Sequence, residues 1–307
     1  MDTLRALATD PAARDLIDDA AVLMMGEGAL VLTHDMIVEG IHYLAADPPG
    51  DVAWKLVAVN LSDLAAKGAR PIGVLLGYAL GEGEWDRAFA KGLGTALSSF
   101  GISLLGGDTV AMPDGAPRAL GLTAIGKADR TPPSRSGALP GHALWVSGTI
   151  GDAGGGLAAL RAGRSEPAFL VERYRNPRPR LELGQQLAPL VSAMMDVSDG
   201  LLVDARRMAA ASGCAAAIDL AAVPLSPDYV AAGGDDRAGR LRAVTAGDDY
   251  ELLFAAAADA GPAIHELADA LCIGLSRIGR FEAGAGIRLE EAGSPVPLPD
   301  SLGFEHG

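Results

Sequence analysis

A set of aspartates, most of them near the ends of apolar runs, dominates the chemistry this chain can offer: Asp18, Asp19, Asp35, Asp63, Asp108, Asp196, Asp199, Asp248 and Asp249. The densest stretch is "MMDVSDGLLVDARR" (194–207), where an apolar run hands over to a helix-like segment that carries a further acid, Asp204. Any one Asp in such a place is expected to form a turn or cap a helix. Together they point elsewhere. Carboxylates gathered around one cleft repel each other, and their pKa values rise unless cations hold them ionised. Hard cations such as Mg2+ take oxygen ligands and are shared between carboxylates and substrate phosphates. The acids therefore predict a metal cradle for metal-bound phosphates. Asp63 strengthens this reading, because it falls inside an apolar helix pattern where an unpaired carboxylate facing the core is costly.

Other residues are weaker signals. Gly106 and Gly107 before Asp108 would let backbone approach a ligand closely, or simply make a tight turn. Ser198 and Asp199 are expected at a helix start, as caps and as contacts to phosphate or metal. Spacing alone makes Arg135 a solvated charge in a loop, and His42 has no partner visible in the sequence. "GLTAIGKA" (121–128) opens like a P-loop but has Ala128 where Ser or Thr is required, and it alternates like a strand, so that reading fails. No dinucleotide, zinc-protease or serine-hydrolase signature is present.

The elements that must position these residues are mixed α and β in both halves. "ALVLTHDMIVEGIHY" (29–43), "PIGVLLGYAL" (71–80), "ISLLGGDTV" (102–110) and "RALGLTAIGKA" (118–128) read as strands. Segments 51–68 and 84–101 read as helices, giving a sheet with helices on one side. "DRTPPSRSGALPGH" (129–142) is a break rich in Pro, Ser and Gly. Beyond it, 143–156 is a strand entering a Gly-rich turn, helices are expected near 153–163 and 179–191, and 215–225, 250–258 and 272–282 are strand-like. A length of 307 residues favours two domains. A net charge of −14 argues against nucleic acid or an anionic membrane as partner. No signal peptide pattern and no apolar stretch of about 18 residues is present, so a soluble, cytoplasmic protein is expected. Cys214 and Cys272 are solitary and are expected to be buried hydrophobes.

On these residues the chain resembles the thiamine-monophosphate kinases, in the superfamily of aminoimidazole ribonucleotide synthetase and selenophosphate synthetase. The matching blocks are "DDAAVL" (18–23), "LTHDMIVEGIHY" (32–43), "AVNLSDLAAKGARP" (58–71), "LLGGDT" (104–109), "SRSGALPGH" (134–142), "DVSDGL" (196–201), "AGDDYELLF" (246–254) and "LGFEH" (302–306). They span nearly the whole chain in the family's order. The resemblance implies Mg2+-dependent transfer of the ATP γ-phosphate to thiamine monophosphate, the last step of thiamine diphosphate biosynthesis. It implies metal ligands at Asp19, Thr33, Asp35, Asp63, Asp108, Asp196 and Asp199. It also implies ATP contacts at Gly107, Asp108, Arg135 and Ser198, and substrate contacts at His42, Asp248 and Phe304. The implied fold is mixed α/β and α+β: an N-terminal α+β domain (1–136) that binds ATP and metal and pairs its sheet across a homodimer, and a C-terminal α/β domain (137–307). A K+ requirement is compatible with the resemblance, although no residue pattern points to it.

Three positions depart from the family's pattern. His34 stands where Thr is common, Asp248 where Glu is more frequent, and Ile17 where Gly is usual. A related enzyme with another acceptor is the nearest alternative, against which "THDMIVEGIHY" and "GDDYELLF" argue. A non-catalytic nucleotide- or metal-binding protein is the alternative of a different class; it would bind ATP and Mg2+ without turnover.

Overall fold

The computed structural model describes residues 7–305 except 27, 82 and 114. In the first half, β1 (Ala21–Met25), β2 (Gly28–Val38), β3 (Arg70–Leu80), β4 (Ser103–Ala111) and β5 (Ala119–Ala128) form one sheet in the order β1-β2-β5-β3-β4. All pairs are antiparallel except β3 with β4. Two helices, α1 (Pro49–Ala66) and α2 (Gly83–Phe100), accompany it. Period-two alternation along β2 buries Ala29, Val31, Thr33 and Ile37 and turns His34 and Met36 outward. Asp35 therefore shares the inner face with Thr33. The segment read as a P-loop opening is the body of β5, so no helix N-terminus follows Lys127.

Residues 129–142 connect to the second half without a helix or strand. Its seven-stranded sheet uses β6 (Ala143–Ser147), β7 (Ala193–Asp196), β8 (Ala215–Asp219), β9 (Leu252–Ala256), β10 (Leu275–Glu282), β11 (Gly286–Glu291) and β12 (Ser294–Val296) in the order β12-β11-β8-β10-β6-β9-β7. Only β11 with β8 is parallel. Helices α3 (Asp152–Arg161), α4 (Ala168–Arg175), α5 (Leu181–Leu187), α6 (Leu201–Ala211), α7 (Pro227–Gly233), α8 (Arg237–Thr245) and α9 (Gly261–Leu271) surround it. Strands β6, β7 and β9 are buried on both faces and so read as unbroken apolar runs. One face packs Leu144, Val146, Met195 and Leu253 with Leu201, Leu202 and Met208 of α6. The other packs Trp145, Met194, Leu252 and Phe254 with α5, α9 and two residues of α1, Ala65 and Ala66.

Helix α1 is thus shared. It lies on the inner face of the first sheet and ends against the second, and Lys55, Asn60, Ser62 and Asp63 are buried along it with its apolar residues. A helix that is apolar on all sides is a helix buried on all sides, so its few polar residues must meet partners inside the protein. The expectation for the cysteines holds only at Cys214; Cys272 is exposed, because it ends α9 in a left-handed backbone conformation at the surface.

The seam between the halves is tight at Gly184 of α5, where an added Cβ would lie 2.0 Å from the Ala65 carbonyl oxygen of α1. Gly184→Ala is expected to destabilise the fold by about 1–3 kcal/mol, read as a lower denaturant midpoint. Gly94, inside α2, has open space around the same position. Gly94→Ala is expected to be neutral or stabilising by up to about 1 kcal/mol. Equal effects at the two sites would show that the seam is not close-packed.

Candidate functional site

A cleft of about 790 Å³ opens where the two halves meet along α1. At its floor Asp63 of α1, Asp196 at the end of β7, and Asp19 from the loop before β1 bring carboxylate oxygens within 4.8 Å of one another. Asp63 accepts a hydrogen bond from Thr33 Oγ1 of β2, and Asp196 Oδ2 accepts one from Ser62 Oγ at 2.5 Å. Burial first, and then the neighbouring Asp35, Asp196 and Asp19, push the Asp63 carboxyl well above the ordinary range. Burial and Asp19 do the same to Asp196. Asp35, whose backbone N–H donates to Asn60 Oδ1 at 2.9 Å, is raised to about 6, mainly by burial.

One ammonium group offsets part of this charge. Lys67, the residue that ends α1, is fully buried, with Nζ 2.5 Å from Asp18 Oδ1 and 2.7 Å from Asp19 Oδ2. Burial works against ionisation of Asp18, but Lys67 and Arg14 outweigh it and hold that carboxyl at about 2. Arg135 pairs with the other oxygen of Asp19. Spacing alone made Arg135 a solvated charge; the linker instead turns it inward. Asp19 Oδ2 is buried and has no partner in hydrogen-bond geometry among the described residues, so its contact with Lys67 is a charge pairing that leaves lone pairs over. Three converging carboxylates, oxygen donors only, and an orphaned oxygen together fit a hard divalent cation such as Mg2+.

The 194–207 stretch folds differently from a simple cap. Gly200, with φ +128°, leads into α6, and neither Ser198 nor Asp199 caps it. Instead Asp204, in the first turn of α6, accepts from the N–H groups of both Ser198 and Asp199 at 3.1 Å, and so holds the loop in place. Arg207, one turn on, pairs with Asp199 and lies 2.8 Å from Asp204 Oδ1. Burial raises Asp204 to about 7 against the pull of Arg207. His42, Asp248 and Phe304 also line the cleft. The Val38 N–H donates to His42 Nδ1 at 3.1 Å, which puts the ring proton on Nε2. Phe304 is brought in by its own N–H, which donates to the Asp199 carbonyl at 2.8 Å.

The single chain therefore brings together Asp19, Asp35, Asp63, Arg135, Asp196, Ser198, Asp199, His42, Asp248 and Phe304, with Thr33 one bond behind Asp63. It does not bring in Gly107 and Asp108, which lie on β4, a strand exposed along its whole length. Asp35 and Asp108 also sit inside strands rather than at their ends. Sequence reasoning missed Lys67, Arg207, Asn60 and Ser62. For three of them the signal was present: polar residues in or closing a helix with no polar face.

The first half matches the family model for the AIR synthase related protein N-terminal domain over residues 17–128, and the second the C-terminal domain over 140–291. The thiamine-monophosphate kinase of Caulobacter vibrioides is 41% identical over 97% of this chain and 86% of its own length. The chain belongs to the thiamine-monophosphate kinase family. A crystal structure of thiamine-monophosphate kinase from Stenotrophomonas maltophilia K279a superposes with a TM-score of 0.80 at 36% identity, covering 96% of this chain and 95% of that one. AaThiL complexed with AMPPCP and TMP superposes with a TM-score of 0.85 at 27% identity, covering 99% and 95%.

A cation held by this cluster would compete with protonation of its carboxylates. Carboxyls whose folded pKa is raised favour the fold below the unfolded value of about 3.9, and that contribution is lost as pH rises through the folded values. For Asp35 and Asp204 the window closes at about 6 and about 7. Mg2+ held by the ionised groups would be expected to raise Tm more at about pH 8 than at about pH 5.5. Asp63→Asn is expected to raise the Tm of the metal-free protein at the higher pH and to abolish the Mg2+ effect. Thermal scans with and without Mg2+ decide it; equal shifts at both pH values would remove the cluster as a cation site.

Proposed function

We propose that this chain transfers the γ-phosphate of ATP to the phosphate of thiamine monophosphate, giving thiamine diphosphate and ADP. The observation that carries the reading is the buried Asp19, Asp63 and Asp196 cluster, built from both halves at the floor of a cleft that His42, Asp248 and Phe304 also line. The thiamine-monophosphate kinase relatives, and AaThiL complexed with AMPPCP and TMP, support the same pair of substrates.

The acceptor is a phosphate oxygen, already anionic near neutral pH, so no strong base is needed; positioning and charge neutralisation suffice. The acceptor oxygen attacks the γ-phosphorus in line, a P–O bond forms as the bond to the bridging oxygen breaks, and ADP leaves with the electron pair. No phosphoenzyme is formed. Asp19, Thr33, Asp35, Asp63, Asp196 and Asp199 would hold Mg2+ in the cleft, which when bound supplies neutralisation of the two phosphate groups as they approach. Arg135 and Ser198 bind the nucleotide phosphates, and His42, Asp248 and Phe304 hold the organic end of the acceptor.

Gly107 and Asp108 enter this scheme through a homodimer. Strand β4 leaves one edge unpaired, and Leu104, Leu105 and Val110 are exposed along it. A long apolar edge is an association surface. In our reading a second copy pairs there, and Asp108 serves a metal and Gly107 the ATP at that interface. An added Cβ at Gly107 would lie 1.9 Å from the Leu76 carbonyl oxygen, so only glycine fits. We divide the domains at 136/137, within the linker that lacks helix and strand. No helix among the described residues is long and apolar enough to cross a membrane; our reading places the protein in the cytoplasm.

Incubation with ATP, Mg2+ and either thiamine monophosphate or free thiamine, followed by chromatography, tests the reaction. Thiamine diphosphate is expected only from the monophosphate and only with Mg2+; its absence overturns the reading. Chiral γ-phosphorus is expected to invert, and retention would require a phosphoenzyme. Asp196→Asn is expected to lower turnover by about 100-fold or more with folding intact. Unchanged kinetics would remove Asp196 from the ligand set.

A further inference from the structure

Eight residues before Asp63, α1 carries a second buried charge that the carboxylate cluster does not use. Lys55 exposes 2% of its side chain. Its Nζ donates to the His42 carbonyl at 2.9 Å and to Asp248 Oδ2 at 2.8 Å, and lies 4.0 Å from the centre of the Tyr174 ring. Those partners come from the turn after β2, from the loop before β9 and from α4. An ammonium group has three N–H donors, and a carbonyl, a carboxylate and an aromatic face account for them.

The loop that Lys55 holds is conformationally unusual. Asp248 has φ +69° and Tyr250 has φ +50°, left-handed values that side chains with a Cβ rarely adopt. Such conformations persist only where the surroundings over-determine them, and they mark sites whose geometry is used. Here the Asp248 N–H donates to the Ser198 carbonyl and the Tyr250 N–H to the Val197 carbonyl, both at 2.8 Å. Tyr250 Oη donates to Asp248 Oδ1 at 3.2 Å, so each carboxylate oxygen is tethered from a different side. The carboxylate nevertheless keeps a quarter of its surface open and lines the cleft.

We propose that Lys55 is a positioning residue for the acceptor's organic end: it fixes the Asp248 carboxylate and the backbone at His42 in one arrangement, drawn from both halves of the chain. Paired with the ammonium, Asp248 presents the cleft with an oriented hydrogen-bond acceptor rather than an uncompensated negative charge. That suits an amino group on a neutral heteroaromatic ring, the chemistry of the aminopyrimidine of thiamine monophosphate. The inference rests on the function proposed above and adds to it the device that aligns the acceptor.

Steady-state kinetics of Lys55→Met, Asp248→Asn and the double variant test it. Lys55→Met keeps the length and apolar volume of the side chain and removes the donor. Losing a hydrogen bond to a charged group is expected to raise KM for thiamine monophosphate by about 10- to 100-fold, with kcat and KM for ATP within about threefold. If Lys55 acts through Asp248, the double variant is no worse than the poorer single one. An unchanged KM for thiamine monophosphate overturns the proposal, as do losses that multiply in the double variant, or an equal loss in KM for ATP. Should Lys55→Met fail to fold, Tyr250→Phe carries the test, because it frees the opposite oxygen of Asp248 and leaves the ammonium in place. It is expected to raise the same KM alone, and no rise overturns the proposal. Wild-type protein that makes no thiamine diphosphate is a different result: it removes the proposed function, and the inference falls with it.

Discussion

Like charge buried in one place is the constraint that organises this molecule. Asp19, Asp63 and Asp196 present oxygens within 4.8 Å of one another, and at an effective dielectric of about 20 each ionised pair at that separation repels by about 3–4 kcal/mol. That is a large share of the stability of an ordinary domain, about 5–15 kcal/mol. The chain cannot carry the cluster fully ionised without cations. It supplies two of them, Lys67 and Arg135, both directed at Asp19 and neither at Asp63. The raised pKa values of Asp63 and Asp196 are what remains uncompensated. Tight packing around them preserves that strain, because the floor cannot relax without opening the seam between the halves.

Holding the acids together requires elements that do not move apart. Asp63 and Ser62 are fixed by a helix buried on all sides, Thr33 by the inner face of β2, and Asp196 by a strand buried on both faces. Asp19, Ser198 and Asp199 lie on loops, and each of these loops has its own clamp. Lys67 and Arg135 secure the first, and Asp204 with Arg207 secures the second. Buried Asp204 therefore has a structural task at the edge of the site, which explains an acid in the first turn of α6 that touches no other element of the carboxylate floor.

Period and punctuation made much of this legible. Strands β2, β3 and β5 and helices α1 and α2 follow from alternation and helical spacing, since each buries one face or all faces. The acids were legible as a set because carboxylates in apolar surroundings demand an explanation. Their partners were not, because Lys67 meets Asp18 across 49 positions and Ser62 meets Asp196 across 134. No local pattern reports such pairings. Helix α4 and the β11–β12 hairpin escaped for the opposite reason: they are short, and charged or exposed residues break their periodicity. Ser198 and Asp199 were misread as caps because a Ser-Asp pair before a helix usually is one. Here Gly200 takes the position with a φ that a side chain would resist.

A chain with a net charge of −14 must still accept two phosphate-bearing molecules under the proposed function. The cleft arginines show how charge is kept paired meanwhile. Arg135 is bound to Asp19, and Arg207 to Asp199, the same carboxylates assigned to Mg2+. On that proposal, a metal-bound nucleotide would let each carboxylate exchange a guanidinium for a cation, while the guanidinium exchanged a carboxylate for a phosphate. At Asp19 and Asp199 no charge would then be left unpaired, which lowers the cost of entering a buried site. A lysine at either position would lack the planar fork that can face both partners in turn. Under the proposed function the acidic excess is therefore no barrier to phosphate-bearing substrates, because what they would meet is a set of ion pairs ready to change partners.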